Sequence, residues 1–389
     1  MFGGEEALKY LISEGNKLGI KIILDGVFNH TGDDSLYFNK YGTYKSVGAY
    51  ESKESEYSSW YNFFNYPDGY ESWWGISILP KVREEGNNFI DFICEDGGVI
   101  KHYMNMGVSG FRLDVVDELS DSFVKRINYS LKNSLKDGLL IGEVWEFAQE
   151  KISSGGRRKY FLGNELDSVM NYPLKDAILG YLLTGNSDEI KNVQDKISTY
   201  YPKQNVDLLM NIIGTHDTPR VISVLSGVDY TKMSMKELAE FKLSESQYAK
   251  AKKLTKIASF LQFTLPGVPC IYYGDEAGME GFSDPFNRNC FPWGKADEEL
   301  TEWYKNLSKI RGDDIFKCGD YRCLVSESGV FAFTRYSEHS CLLLFTNVSE
   351  STAKFRISGV YKDVLSGEIY ENKVSIKPLG CKALKNIKK

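Results

Sequence analysis

The chain has 389 residues, 26% charged and 42% hydrophobic, with a formal net charge of -6. It is long enough for a large core and for two or three domains, and it carries no basic surface for nucleic acid. No apolar run reaches membrane-spanning length, and MFGGEEALKY lacks the basic start and apolar stretch of a signal peptide, so neither nucleic acid nor membrane is expected as a partner. The seven cysteines are odd in number and scattered without metal-type spacing, which suggests free thiols in a reducing cytoplasm. Aromatics reach 14%, with 25 tyrosines, a first compositional pointer to a sugar-like ligand.

Residues 5–18 place Ala7, Leu8, Leu11, Ile12, Gly15 and Leu18 at helical spacing, with Gly19 as a stop. Ile20 to Leu24 reads as a buried strand that runs into Asp25, Asn29 and His30. Residues 31–88 show neither period and hold fourteen aromatic residues between Tyr37 and Trp74. A loop of that length is functional or forms a small subdomain. A helix around 87–106 precedes a strand, Phe111 to Val116, with Arg112 and Asp114 two apart and so on one face. A helix near 121–136 leads to a strand from Leu139 to Val144 that carries Glu143. Further strands are expected at 166–170, 208–213 and 268–273. Helices are expected through about 199, over 245–263 and over 297–311. From about 315 short alternating runs separated by Gly, Ser and Glu clusters read as an all-β sandwich.

Strands alternating with helices imply a parallel sheet wrapped by right-handed connections. Polar residues collect where those strands end: Asp25, Asn29 and His30; Arg112 and Asp114; Glu143; His216 and Asp217; Asp275 and Glu276. In a (β/α)₈ barrel the active site is built from such strand ends. Taken alone, Arg112 and Asp114 read as a structural ion pair; in this company they read as a site.

The ordered segments DGVFNH, GFRLDVVDE, GEVWE and GTHDTPR resemble the characteristic regions of the α-amylase superfamily of retaining glycoside hydrolases. LPKV, LDSVMNYPLKDAI and GVPCIYYGDEAGMEGFSDPFNRNCFPW are similar to the neopullulanase, maltogenic amylase and cyclomaltodextrinase branch. The resemblance implies an α/β fold: a (β/α)₈ (TIM) barrel over 1–312, an inserted aromatic-rich loop subdomain over 31–88 and a C-terminal β-sandwich over 313–389. It makes Asp114 the nucleophile, Glu143 the acid/base and Asp217 the transition-state stabiliser. His30 and His216 would bind the sugar at the cleavage point, with Asp25, Arg112 and Arg220 as further substrate contacts. Trp145, Trp73 and Trp74 are core or sugar-stacking residues.

Retaining hydrolysis needs one carboxylate to attack and a second to protonate the leaving oxygen, about 5–5.5 Å away. Asp114 and Glu143 lie on consecutive strands, which can hold that separation. Arg112 can keep Asp114 ionised, and Glu143 needs its pKa raised by burial and nearby acids. Asn29 matches a calcium ligand of many α-amylases, but its usual histidine partner is replaced here by Asp117-Glu118. That puts the Asn29 site in doubt; oxygen ligands elsewhere could still bind Ca²⁺, and no cofactor is required by the chemistry.

Two departures stand out. The family barrel begins with two strands that should precede the first helix, so this barrel is expected to lack them, with Met1-Phe2-Gly3-Gly4 as a lead-in. A start assigned inside a longer gene explains this best, ahead of a split protein or a cloned fragment. Open sheet edges would then invite pairing with another chain, so an oligomer is allowed. Glu146 follows GEVW where many relatives have a histidine, near the sugar-accepting side. The expected function is hydrolysis of α-1,4 links in maltooligosaccharides, cyclodextrins or pullulan. The alternatives are a transglycosylase or α-glucosidase of the same superfamily, or an inactive glucan-binding fragment. A dinucleotide enzyme is disfavoured because no G-x-G-x-x-G follows a strand.

Overall fold

Four of the six expected strands lie side by side in one parallel sheet: β1 (Leu24–Gly26), β2 (Gly110–Leu113), β3 (Leu139–Gly142) and β4 (Ser168–Val169). The computed structural model describes residues 3–84, 87–153 and 155–387, so Met1 and Phe2 of the expected lead-in, Glu85 and Gly86 of the expected insertion, Ser154 and the lysine tail fall outside it. The chain divides into two compact units, Met1–Met170 and Asn171–Lys389.

In the first unit the register sets Asp25 beside Arg112 and Arg112 beside Ile141. Phe111, Leu113 and Leu140 are buried, and Phe28 packs on Phe111 and on Phe123 of the helix Asp121–Ser134. That helix starts where Ser120 accepts the Phe123 N–H, and it buries Phe123, Val124, Ile127 and Leu131. Each such side chain contributes about 1.5–3 kcal/mol by leaving water. The first helix, Gly4–Lys17, falls where expected. The first strand is displaced, because Ile20 and Ile23 are exposed and pairing extends to Gly26. Among the described residues β1 has one strand neighbour and forms an edge of the sheet.

The expected helix over 87–106 is two helices, Asn87–Cys94 and Val99–Asn105. Gly97 at φ +85° and Gly98, where a Cβ would meet the Phe92 carbonyl oxygen at 2.8 Å, turn the chain between them. The aromatic loop builds its own small core around Phe38, which meets the rings of Tyr50, Tyr61, Phe63 and Tyr70. Trp60, Tyr61 and Tyr70 are buried with it, whereas Phe64 and Trp74 stand in solvent.

In the second unit β5 (Met210–Asn211) and β6 (Val268–Pro269) pair in parallel. Asn211 is buried and its side chain donates to the Pro266 carbonyl oxygen, while Gln262 ties Asn211 to Cys270. The helix Glu245–Thr264 opens on a capping box between Ser244 and Gln247 and buries nearly all of its second half.

The C-terminal strands are β7 (Asp320–Glu327), β8 (Val330–Tyr336), β9 (Cys341–Asn347), β10 (Ala353–Asp363), β11 (Ile369–Ile376) and β12 (Gly380–Asn386). They form one continuous antiparallel sheet in the order β7-β8-β9-β12-β10-β11, which folds back so that β9 meets β11, where the sequence suggested two packed sheets. The long β10 explains the difference. It pairs with β11 along most of its length and with β12 at its end, across an irregularity between Arg356 and Val360, so hydrogen bonding is continuous. Two cores meet the sheet. Phe331, Phe333, Leu342 and Leu344 pack with the unit's helices, and Ala332, Phe345, Val374 and Ile376 pack with one another.

Candidate active site

Arg112 projects from the middle of β2, and its guanidinium gathers acids from three adjacent strands. Nη1 donates to Asp25 at 2.8 and 3.0 Å and to Asp114 Oδ1 at 2.8 Å. Nη2 lies 2.9 Å from Glu143 Oε2, an ionic contact. Asp114 follows the last residue of β2 and Glu143 the last residue of β3, so parallel pairing alone puts the two acids at one end of the sheet. Glu143 is buried, Asp114 is one-fifth exposed and Asp25 is more than half exposed.

Burial raises the Asp114 carboxyl above its ordinary value, against the pull of Arg112 and with help from the charge of Glu143. Arg112 acts on Asp114 in the expected direction, and desolvation pulls the other way more strongly. Burial also works against the charge of Arg112, but the hydrogen bond it donates to Asp25 and the fields of Glu143, Asp25 and Asp114 leave its pKa raised.

Glu143 is held from two further directions. Its Oε2 accepts the Val115 N–H at 3.0 Å, and its Oε1 accepts the Trp145 indole N–H at 3.0 Å. Val115 reaches that position with φ 45° and ψ 45°, a left-handed conformation that is a genuine outlier for a β-branched residue. The residue after the expected nucleophile thus carries strain that aims a donor at the expected acid. Nothing in the sequence signals it. Trp145 is 46% exposed, which places it at the surface rather than in the core.

His30 follows β1, and its ring stacks on Trp73 at 5.1 Å; Trp73 in turn stacks on Trp74 at 5.1 Å. Burial holds the His30 imidazole below its ordinary pKa, opposed by the charge of Glu118. Asn29 is buried beside it, with Nδ2 3.4 Å from His30 Nδ1 and its Oδ1 without a hydrogen-bond partner. That oxygen is of the kind calcium takes, but the donor set does not fit. Asp117 is engaged by the Tyr160 hydroxyl and by Lys151, and Glu118 by Trp74 and Lys81. Among the described residues no group of three or more His, Cys, Asp or Glu side chains could hold a metal.

The second unit builds its own polar cluster after β5. His216 Nε2 lies 3.1 Å from Asp217 Oδ2. Asn287, fully buried, donates to the carbonyl oxygens of His216 and Thr218 at 2.7 and 2.9 Å. Arg288 donates to the His216 carbonyl at 3.0 Å and to Asp217 Oδ1 at 3.3 Å. Asn287 and Arg288 had no role from sequence, although an Asn-Arg pair in a Gly- and Pro-rich segment was the available signal.

Arg220 departs from its expected place among the substrate contacts. It is fully buried, 4.5 Å from the Tyr272 ring centroid, and donates to the Tyr273 carbonyl at 2.6 Å and to Asp275 at 3.2 Å. A guanidinium with no exposed surface braces the 272–275 segment. Burial pushes the Asp275 carboxyl up, opposed by Arg220.

An arginine-clasped pair of acids at one end of a parallel sheet, with an exposed indole beside it, is an arrangement that acid–base or nucleophilic chemistry can use. The chain belongs to the alpha-amylase family: the alpha amylase, catalytic domain profile matches residues 1–318. It is 33% identical over 426 aligned positions to an amylopullulanase of Thermoanaerobacter thermohydrosulfuricus, covering 95% of this chain and 28% of that protein. A cyclomaltodextrinase of a Bacillus species is 27% identical, covering 94% of this chain and 61% of that one. The solved type III pullulan hydrolase from Thermococcus kodakarensis superposes with a TM-score of 0.82 at 25% identity, covering 99% of this chain and 63% of that one. The chain thus spans less than a third of the amylopullulanase and less than two thirds of the cyclomaltodextrinase.

Proposed function

We propose that the chain hydrolyses α-1,4-glucosidic bonds of maltooligosaccharides, cyclodextrins or pullulan with net retention. The observation that carries the reading is the single guanidinium of Arg112 in contact with both Asp114 and Glu143. Two acids on adjacent nitrogens of one planar fork favour the spacing of about 5–5.5 Å used by retaining enzymes over the roughly 6.5–9.5 Å of inverting ones.

Asp114 attacks the anomeric carbon while Glu143 protonates the departing glycosidic oxygen, which leaves a glucosyl ester on Asp114. Glu143 then takes a proton from water, whose oxygen attacks the same carbon and releases Asp114. The Val115 and Trp145 donors hold the Glu143 side chain in one rotamer for both steps. Asp217 takes the stabilising role by its place in the GTHDTPR motif, with Arg288 and His216 fixing its two oxygens. Arg112 and Asp25 order the nucleophile, and no step passes through a metal. The family's barrel is the architecture in which we read these strand ends. The seven free cysteines support a cytoplasmic setting.

Reducing-sugar release from maltoheptaose tests the assignment. Activity in the parent chain that falls at least about 10⁴-fold in both Asp114→Asn and Glu143→Gln supports it. Retention of activity in either variant removes that residue from the chemistry.

A further inference from the structure

Trp74 is the most conspicuous side chain of the first unit that the catalytic reading leaves unused. It is 78% exposed, although a large indole in water is unfavourable. Its backbone sits at φ 50° and ψ 27° inside the short turn Trp73–Gly75, a left-handed conformation that folded chains keep where the surroundings over-determine it. Those surroundings are explicit. The indole Nε1–H donates to Glu118 Oε1 at 2.7 Å, and one face stacks on Trp73, whose other neighbour is His30. The exposed ring is therefore fixed in place with its outer surface free to receive a ligand.

Glu118, which anchors the indole, also faces Lys81 at 3.7 Å, and Lys81 faces Glu71 at 3.8 Å. These three line an open cavity of about 380 Å³ together with Asn62, Arg83 and Ser120. An immobilised aromatic face beside a groove of amide, hydroxyl and charged groups matches the two surfaces of a pyranose: C–H-rich faces and a rim of hydroxyls. A flat protein partner would need a much larger apolar surface than one ring and the neighbouring Ile76 and Ile78 provide.

We infer that Trp74 and the Glu118–Lys81 groove form a distal contact site for an α-linked glucan chain, engaging sugar units away from the bond that is cut. The inference rests on the α-glucan reading above. The stack from His30 through Trp73 to Trp74 carries the contact outward from the end of β1. Because the ring is already rigid, binding costs little further ordering there.

The test uses the full chain carrying Asp114→Asn to bar turnover, titrated with maltoheptaose and with maltose by calorimetry. Adding Trp74→Ala should weaken maltoheptaose about tenfold, equivalent to ~1.4 kcal/mol, while maltose binding changes less than about twofold. Trp74→Phe should restore most of the loss, which a general folding defect would not do. Unchanged maltoheptaose affinity in Trp74→Ala, or an equal loss for both sugars, overturns the distal site alone. Absence of binding by the Asp114→Asn chain to either sugar overturns the α-glucan reading and this inference with it.

Discussion

Arg112 Nη2 lies 2.9 Å from Glu143 Oε2 while the other terminal nitrogen of the same guanidinium holds Asp114. The planar fork makes the positions of the two acids interdependent, and a lysine cannot reproduce it, since an ammonium is a point charge without fixed donor directions. Arg112→Lys should lower kcat/KM about 10²–10³-fold. Its pH profile should also move. Burial already lifts Asp114, and Arg112 is the group that pulls it down, so the acid limb of kcat/KM should shift to higher pH in Arg112→Gln. A limb that stays in place would detach Asp114 from the profile.

Asp114 itself is held at a cost to the fold. Its folded pKa lies above the unfolded one, so the folded state favours the proton, and stability falls as pH rises through the folded value. Asp114→Asn removes that cost and should be about 0.5–2 kcal/mol more stable than the parent at pH 7. The advantage should fade as the pH falls toward the ordinary aspartate range. Urea unfolding at two pH values measures both the sign and the window.

Val115 provides a backbone test. Its left-handed conformation costs about 1–2 kcal/mol for an L-residue, and a glycine adopts it freely while losing about 0.5–1 kcal/mol in unfolded-chain entropy. Val115→Gly keeps the N–H that Glu143 accepts, so stability should change by less than about 1 kcal/mol and activity should persist. A loss above about 3 kcal/mol would show that side-chain packing, not strain, dominates there.

The buried Arg220–Asp275 pair should behave as a structural element. Arg220→Ala strips the buried Asp275 carboxyl, which burial already pushes up, of its partner and leaves a cavity and unsatisfied polar atoms in the interior, and it should cost about 3–5 kcal/mol, read as a lowered urea midpoint. Arg220→Ala that folds with parental stability would mean the guanidinium braces nothing.

Much of this was legible in the chain. The period of two put Arg112 and Asp114 on one face, and alternation of strands and helices put Glu143 at the matching end of the next strand. Registers were not legible: that Arg112 also reaches Asp25 and Glu143 depends on strand pairing between residues as far apart as 25 and 112. The direction of a side chain at a motif position was equally hidden. Arg220 looks inward to Asp275, whereas Trp74 and Trp145 look outward. The conformation of Val115 runs against its propensity, and only long-range contacts to Glu143 explain it. The continuous hydrogen bonding of the C-terminal sheet was hidden as well, because alternating runs read alike in one sheet or two.

The most direct measurement is the anomeric configuration of the first sugar released from a maltooligosaccharide, followed by proton NMR before mutarotation. Double displacement through Asp114 predicts the α-anomer first. Initial appearance of the β-anomer would contradict the account.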